Sequence, residues 1–164
     1  MFKEQLKLLQ NMPLFGGLSD ASLELIIDAS DIIPYDKGDY IYREGDSGNA
    51  MYVVIKGQFA VLKCHKQLTY EIASYGLGEC LGIMEALNPS SRFCSIYATE
   101  NAAAIRISSS DMLSLYHHDL EQYTLMQMNM GREVCRRMRR LEELLFKRET
   151  CLETHPTFKF PRGT

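Results

Sequence analysis

One segment of the chain gathers residue types that could hold an anion: Gly78-Glu79-Cys80-Leu81-Gly82-Ile83-Met84-Glu85-Ala86-Leu87-Asn88-Pro89-Ser90-Ser91-Arg92-Phe93-Cys94-Ser95. A glycine-framed turn that opens a short helix presents backbone N–H groups without internal partners at the positive end of the helix dipole. Arg92, close by, can add a bidentate contact to a phosphate. Arg92 is the natural candidate; Gly82, Ile83 and Met84 stand where the short helix opens, and Phe93 adjoins the arginine. A competing reading makes Arg92 a solvated residue at the start of an edge strand.

The remaining chemistry-bearing residues are less suggestive. No nucleophile and base stand at a recognisable spacing, and there is no metal motif or phosphate-cradling glycine loop, so an enzyme is not expected. The five cysteines are odd in number and widely spaced, with no C-x-x-C pair, which suits reduced thiols buried as small apolar groups. His117 and His118 are adjacent, hence about 100° apart on a helix, and cannot chelate one metal together. No metal is expected, and no cofactor follows from these residues alone.

A net charge of −3 gives no global attraction to nucleic acid or to an anionic membrane. Arg132, Arg136, Arg137, Arg139, Arg140, Lys147 and Arg148 form a basic run, but Glu133, Glu142, Glu143 and Glu149 are interleaved with it. That pattern reads as the charged flank of a coiled coil. No apolar run approaches the ~18–20 residues that span a bilayer, and the start MFKEQLKLLQ alternates charge with leucine where a signal peptide would be apolar. A cytoplasmic location with no membrane contact is the expectation.

The elements that must position the segment follow from periodicity. Phe2, Leu6 and Leu9 share a helical face up to Pro13, and Leu23, Ile26 and Ile27 mark a second short helix capped at Ser19 or Asp20. From Asp31 the period shortens. Runs at Asp31–Tyr35, Tyr40–Arg43, Met51–Lys56, Gln58–Cys64, Thr69–Tyr75, Arg92–Thr99 and Ala102–Ile107 are predicted strands, cut by glycine-bearing turns. With no crossover helix between them, the fold class is mainly β with flanking helices: a jelly-roll-like antiparallel β-roll of about seven or eight strands. Beyond Ser110 the composition favours helix, with a break near His117-His118-Asp119 before a long final helix. Along it Val134, Met138, Leu141 and Leu145 are spaced four, three and four, a coiled-coil seam. The expected organisation is a helical lead-in over 1–30, the roll over 31–107, a helical segment with a dimerisation helix over 108–149 and an irregular tail over 150–164.

The most specific pattern is Gly38-Asp39-Tyr40-Ile41-Tyr42-Arg43-Glu44-Gly45-Asp46 followed by Met51-Tyr52-Val53-Val54-Ile55-Lys56-Gly57. Physically, Gly38, Gly45 and Gly57 suit tight turns between strands, Glu44 suits a turn whose backbone donors need an acceptor, and Tyr52, Val54 and Ile41 supply a buried face. The stretch resembles the cyclic nucleotide-binding domain, whose members share G-x-x-[IL]-x-x-E-G-[DE] and then Y-x-[IV]-x-x-G. Leu14-Phe15, Leu18 and Leu23 look like that family's lead-in helices, so the resemblance runs from Met12 through the long helix.

The resemblance implies a regulatory, ligand-sensing module that couples an effector in the roll to the C-terminal helix. It is similar to the sensor part of the bacterial catabolite activator and anaerobic regulators, in which that helix pairs two copies. Only Cys151–Thr164 stands where those relatives carry a DNA-binding domain, so a homodimer without direct nucleic-acid contact is expected. The implied effector is small and anionic, cyclic AMP or cyclic GMP. The resemblance places Gly82, Ile83, Met84, Arg92 and Phe93 in the binding cassette. The family element F-G-E-[LIV]-[AG] uses its glutamate for the ribose hydroxyl and a later arginine, here Arg92, for the cyclic phosphate. Gly82 falls on its glycine, but Ile83 falls on its glutamate and cannot accept that hydrogen bond, a loss of about 1–3 kcal/mol. Glu79 or Glu85 is a replacement acceptor if the cassette shifts. Phe93 stands where a small residue is usual. An alternative reading follows: a degenerate roll, plugged by Ile83 or Phe93, that serves as a dimeric scaffold.

Overall fold

The computed structural model describes residues 2–66 and 68–151. Helix α1 (Phe2–Gln10) stops ahead of Pro13, which has no N–H to continue the ladder, and a single 3-10 turn spans Pro13–Phe15. Helix α2 (Asp20–Ala29) starts where the Ser19 hydroxyl accepts the Ser22 N–H at 3.2 Å, a cap worth about 1 kcal/mol.

Strands β1 (Asp31–Tyr35), β2 (Tyr40–Tyr42), β3 (Ser47–Gly48), β4 (Ala50–Lys56), β5 (Phe59–His65), β6 (Leu68–Tyr75) and β7 (Cys80–Leu81) come next. Helix α3 (Ile83–Leu87), β8 (Ser90–Ser91), β9 (Ser95–Ala98), β10 (Ala102–Ser108), α4 (Ser109–His118) and α5 (Leu120–Cys151) complete the order. One antiparallel sheet runs β1-β10-β4-β7, a second runs β2-β9-β5-β6, and β3 pairs with β8 as a separate short ladder. This is the expected roll, with three two-residue strands beyond those predicted. Gly38, Gly45 and Gly57 all take positive φ at its turns.

Strand alternation divides the interior in two. On β4, Ala50, Tyr52 and Val54 point between the sheets, whereas Met51 and Val53 point at the helices; on β10, Ala102 and Ala104 oppose Ile105 and Ile107 in the same way. The outer layer packs Leu9, Phe15, Leu23, Ile26, Leu115, Met126 and Met130 onto Met51, Val53, Ile105 and Ile107. The inner layer holds Tyr35, Tyr42, Tyr52, Phe59, Val61 and Ile96, with Tyr35 edge-on to Phe59 at 5.5 Å. Alanines at the inward β10 positions leave room for these rings.

Helix α4 begins in a reciprocal capping box between Ser108 and Asp111 and ends at Asp119, where the break was expected. Helix α5 then continues past Glu149 to Cys151, and the expected irregular tail from 152 on lies outside the described residues. The thiols do not all follow the buried expectation: Cys80 is buried and Cys94 half-buried, but Cys64 and Cys135 are exposed. Cys64 lies near the free end of the β5–β6 hairpin and Cys135 on the outer side of α5, where no second layer covers them. Among the described residues no helix is long and apolar enough to cross a membrane, and no group of side chains could hold a metal ion.

Candidate anion site in the roll

Arg92 is held from both sides of its own backbone. Its N–H donates to the Asp46 carbonyl at 2.7 Å, and its carbonyl accepts the Gly45 N–H at 2.9 Å. The Glu44-Gly45-Asp46 turn therefore fixes where the arginine leaves β8, and Arg92 sits in the connection to β9 rather than at the start of a strand. Glu44 itself closes the turn against β5. It accepts from Lys63 Nζ and, at 3.4 Å, from the Cys64 N–H, and the Lys63 bond first and then the Cys64 bond hold its carboxyl below the usual range.

The Arg92 side chain runs inward and is only 4% exposed, which excludes the solvated-edge reading. Nη1 donates to Glu85 Oε2 at 3.2 Å, Nη2 donates to the Ala50 carbonyl at 2.8 Å, and the guanidinium lies 4.0 Å from the Tyr42 ring centroid. Nε has no hydrogen-bond partner among the described residues. Burial, with Cys94 adding to it, raises the Tyr42 phenol far above its ordinary pKa, although Arg92 opposes the shift, so the ring meets the cation as a neutral phenol.

Two glycines make this seat possible. A Cβ at Gly48 would fall 2.6 Å from Arg92 Nε. One at Gly82 would fall 2.5 Å from Nη1, and Gly82 also takes φ +68° as the N-cap of α3.

The other expected site residues are dispersed. Met84 is exposed. Ile83 is buried, but among the outer-layer residues that meet the helices, so it does not plug the roll. Phe93 does not plug it either: it is 55% exposed, with its ring 4.1 Å from Lys63 Nζ, and that ammonium also bonds the Phe93 carbonyl at 2.6 Å. The outward ring is thus in contact with Lys63 and not with Arg92. Glu79 caps its own turn through Gly76 N–H at 2.8 Å, whereas Glu85 reaches in and is 4% exposed. The four residues around Arg92 that the sequence did not assign to the site are Tyr42, Tyr52, Gly48 and Ala50. Glu85 had one signal: it and Arg92 are the only charged residues between Cys80 and Thr99.

Helix α5 touches the cassette from outside. Arg137 donates from Nη2 to the Cys80 carbonyl at 2.8 Å and from Nε to Glu133 Oε1 at 2.8 Å, and lies 5.2 Å from the Tyr75 ring. Val134, expected at the free seam, is instead half-buried against the outer core. Met138, Leu141 and Leu145 continue its face beyond the roll and are 56–60% exposed.

Two antiparallel sheets, an arginine buried between them and a cassette clasped by the final helix make up a β-roll built around a buried cation. The family model for the cyclic nucleotide-binding domain matches residues 32–119, and the chain belongs to that family. It is 28% identical over 134 residues to the cyclic AMP receptor protein of Thermus thermophilus, covering 80% of this chain and 59% of that relative. It is 33% identical over 99 residues to human cGMP-dependent protein kinase 2, covering 58% of this chain and 13% of the kinase. Among solved structures, the catabolite activator protein of Thermus thermophilus superposes with a TM-score of 0.73 at 27% identity, covering 84% of this chain and 63% of that one. A cyclic nucleotide-binding domain from Methylobacillus flagellatus superposes at 0.80 over 96% of this chain and 86% of that one, with 18% identity. The chain thus spans about three-fifths of the length of the bacterial receptor it matches.

Proposed function

We propose that this chain is the non-enzymatic sensing part of a cytoplasmic regulator, which takes a small anionic effector of the cyclic nucleotide class at Arg92 and passes its arrival to α5. The observation that carries the reading is the buried guanidinium, built into the roll by two glycines and with its Nε unpartnered among the described residues. A buried cation that structure has made room for is a costly feature, and an anion is the ligand that would reward it. Cyclic AMP and cyclic GMP are the first candidates, in line with the relatives. Any transmission requires the effector to bind one position of α5 more tightly than another, and the Arg137 bond to the strand before Gly82 supplies a contact that can differ between them.

The second copy of the chain is the proposed partner, through Met138, Leu141 and Leu145. Direct nucleic-acid contact is not part of the reading, because Arg136 and Arg137 are both engaged by Glu133 on their own helix.

Calorimetric titration and thermal melting with cyclic AMP and cyclic GMP up to millimolar concentration test the effector. Heat of binding with a rise in Tm is expected for at least one of them. Neither heat nor shift with either nucleotide overturns the assignment to this ligand class and leaves the scaffold reading, which the ion pair already on Arg92 favours.

A further inference from the structure

The carboxylate of Glu85 stands where an effector's phosphate has to be. Its Oε2 takes Arg92 Nη1 at 3.2 Å, and its Oε1 takes the Phe93 N–H at 3.4 Å. A guanidinium and the N–H of the next residue are a pair of donors that an anion bound at Arg92 would need, and one side chain of the chain itself consumes both. The sequence pattern sharpens the point. With Gly82 on the glycine of F-G-E-[LIV]-[AG], Glu85 falls on the position of the small residue, so an acid replaces a side chain of one carbon or none.

Glu85 is also the member of the pair that lines the neighbouring groove. An open groove of about 430 Å³ lies between α3 and α5, lined by Met84, Glu85, Leu87, Phe93 and Val134 among others, and Arg92 is not part of its lining. An anion arriving there meets a negative charge first. Behind it the cation is neutralised, apart from Nε, which faces Gly48 too closely to admit a methyl group.

We propose that Glu85 is a tethered internal ligand for Arg92, which keeps the site self-occupied and sets the affinity for anionic effectors by competing with them. This rests on the reading of Arg92 as the anion site. Binding then requires the carboxylate to leave the guanidinium, because two anions cannot share it without repulsion in a buried setting. The apparent Kd is raised by the reciprocal of the fraction of molecules in which Arg92 is uncovered. The residue selects as well as weakens: a neutral ligand gains nothing at Arg92, and only an anion that binds both donors better than a tethered carboxylate displaces it.

The test compares the whole chain with Glu85→Ala and Glu85→Gln, titrated separately with cyclic AMP, cyclic GMP and inorganic phosphate. Glu85→Ala is expected to bind at least one of the nucleotides tighter by about tenfold or more, with Glu85→Gln between it and the parent, since the amide keeps the volume and one acceptor but loses the charge. The gain is expected to vanish in Glu85→Ala combined with Arg92→Leu. If Glu85→Ala does not fold, Glu85→Gln alone carries the comparison. Affinities equal to or weaker than the parent's in the folded variants overturn the proposal. A parent that ignores both nucleotides beside a Glu85→Ala that binds them upholds it while removing cyclic nucleotides as the native effector. A parent that binds and variants that bind no better do the reverse. A gain for inorganic phosphate alone upholds the internal ligand and redirects the effector to a simpler phosphate.

Discussion

Arg137 on α5 donates a hydrogen bond at 2.8 Å to the carbonyl of Cys80, the residue that opens β7 just ahead of Gly82. A side chain on the last helix thus holds the backbone from which the cassette helix springs. Glu133 aims it, with its own carboxyl held below the usual range: burial pushes the other way, but the bonds from Arg137 and Arg136 outweigh it. Hydrogen bonds to charged groups contribute about 1.5–3 kcal/mol, and partial exposure of Arg137 places this one at the low end. Arg137→Met is expected to keep the fold, lower stability by about 1–2 kcal/mol in denaturant titration, and speed amide exchange at Leu81 to Ile83. Unchanged exchange there would remove the helix-to-cassette contact from the mechanism.

The Arg92–Glu85 pair has a distinct signature in stability. Removing one member of a buried pair strands the other charge, at a cost of about 3–5 kcal/mol, whereas replacing both with apolar groups is often close to neutral. Arg92→Leu is therefore expected to be strongly destabilising. Arg92→Leu with Glu85→Leu is expected to recover most of the loss, and a double variant as unstable as the single one would show that the cost lies in packing against Tyr42 and Tyr52 instead.

The proposed pairing of two copies rests on the exposed run Met138, Leu141 and Leu145. Lysine at both Met138 and Leu141 is expected to convert a dimer to a monomer in analytical ultracentrifugation without lowering the thermal midpoint of the roll. The same pair of substitutions leaving the sedimentation coefficient unchanged would place any dimer contact elsewhere. Val134→Lys is a poor test, because that side chain serves the roll's own core.

The thiols separate by burial. Desolvation pushes Cys80 up to about 12 and Cys94 up to about 11. Both hold their proton more tightly folded than unfolded, where a thiol titrates at about 8.5. Their contribution to stability is whole below that pH and is lost as the pH climbs toward the folded values. Denaturation midpoints are expected to fall between about pH 9 and 11 and to fall less in Cys80→Ala. Mass spectrometry after brief alkylation at neutral pH is expected to find Cys64 and Cys135 modified ahead of Cys80.

The longer strands were legible because runs rich in Ile, Val, Tyr and Phe stand between glycine-bearing turns. The two-residue strands β3, β7 and β8 carry no such run, and their pairing is decided by what the chain does on either side. Arg92 was found as a residue and misplaced as an element: a strand pattern follows it, but its side chain is fixed by Glu85, Ala50 and Tyr42, which come from three other parts of the chain. The alternative reading has Phe93 or Ile83 plug the roll, and neither does. Phe93 meets Lys63 and Ile83 meets the helical layer, partners that the sequence pattern does not reveal. Val134 belongs to the same seam by spacing as Met138, yet helix length decides which part of a face is covered and which overhangs.

Gly48, Gly82 and Arg92 also constrain the order in which this sequence can change. Gly48 is free of the positive φ that would forbid a side chain there, and the nearest obstacle to a methyl group is the Arg92 side chain, through Nε, Cδ and Cζ. Gly48→Ala is expected to be damaging in the parent and less so once Arg92 is alanine, as thermal melts of the four combinations would show. Loss of the arginine therefore has to come before that glycine can gain a side chain.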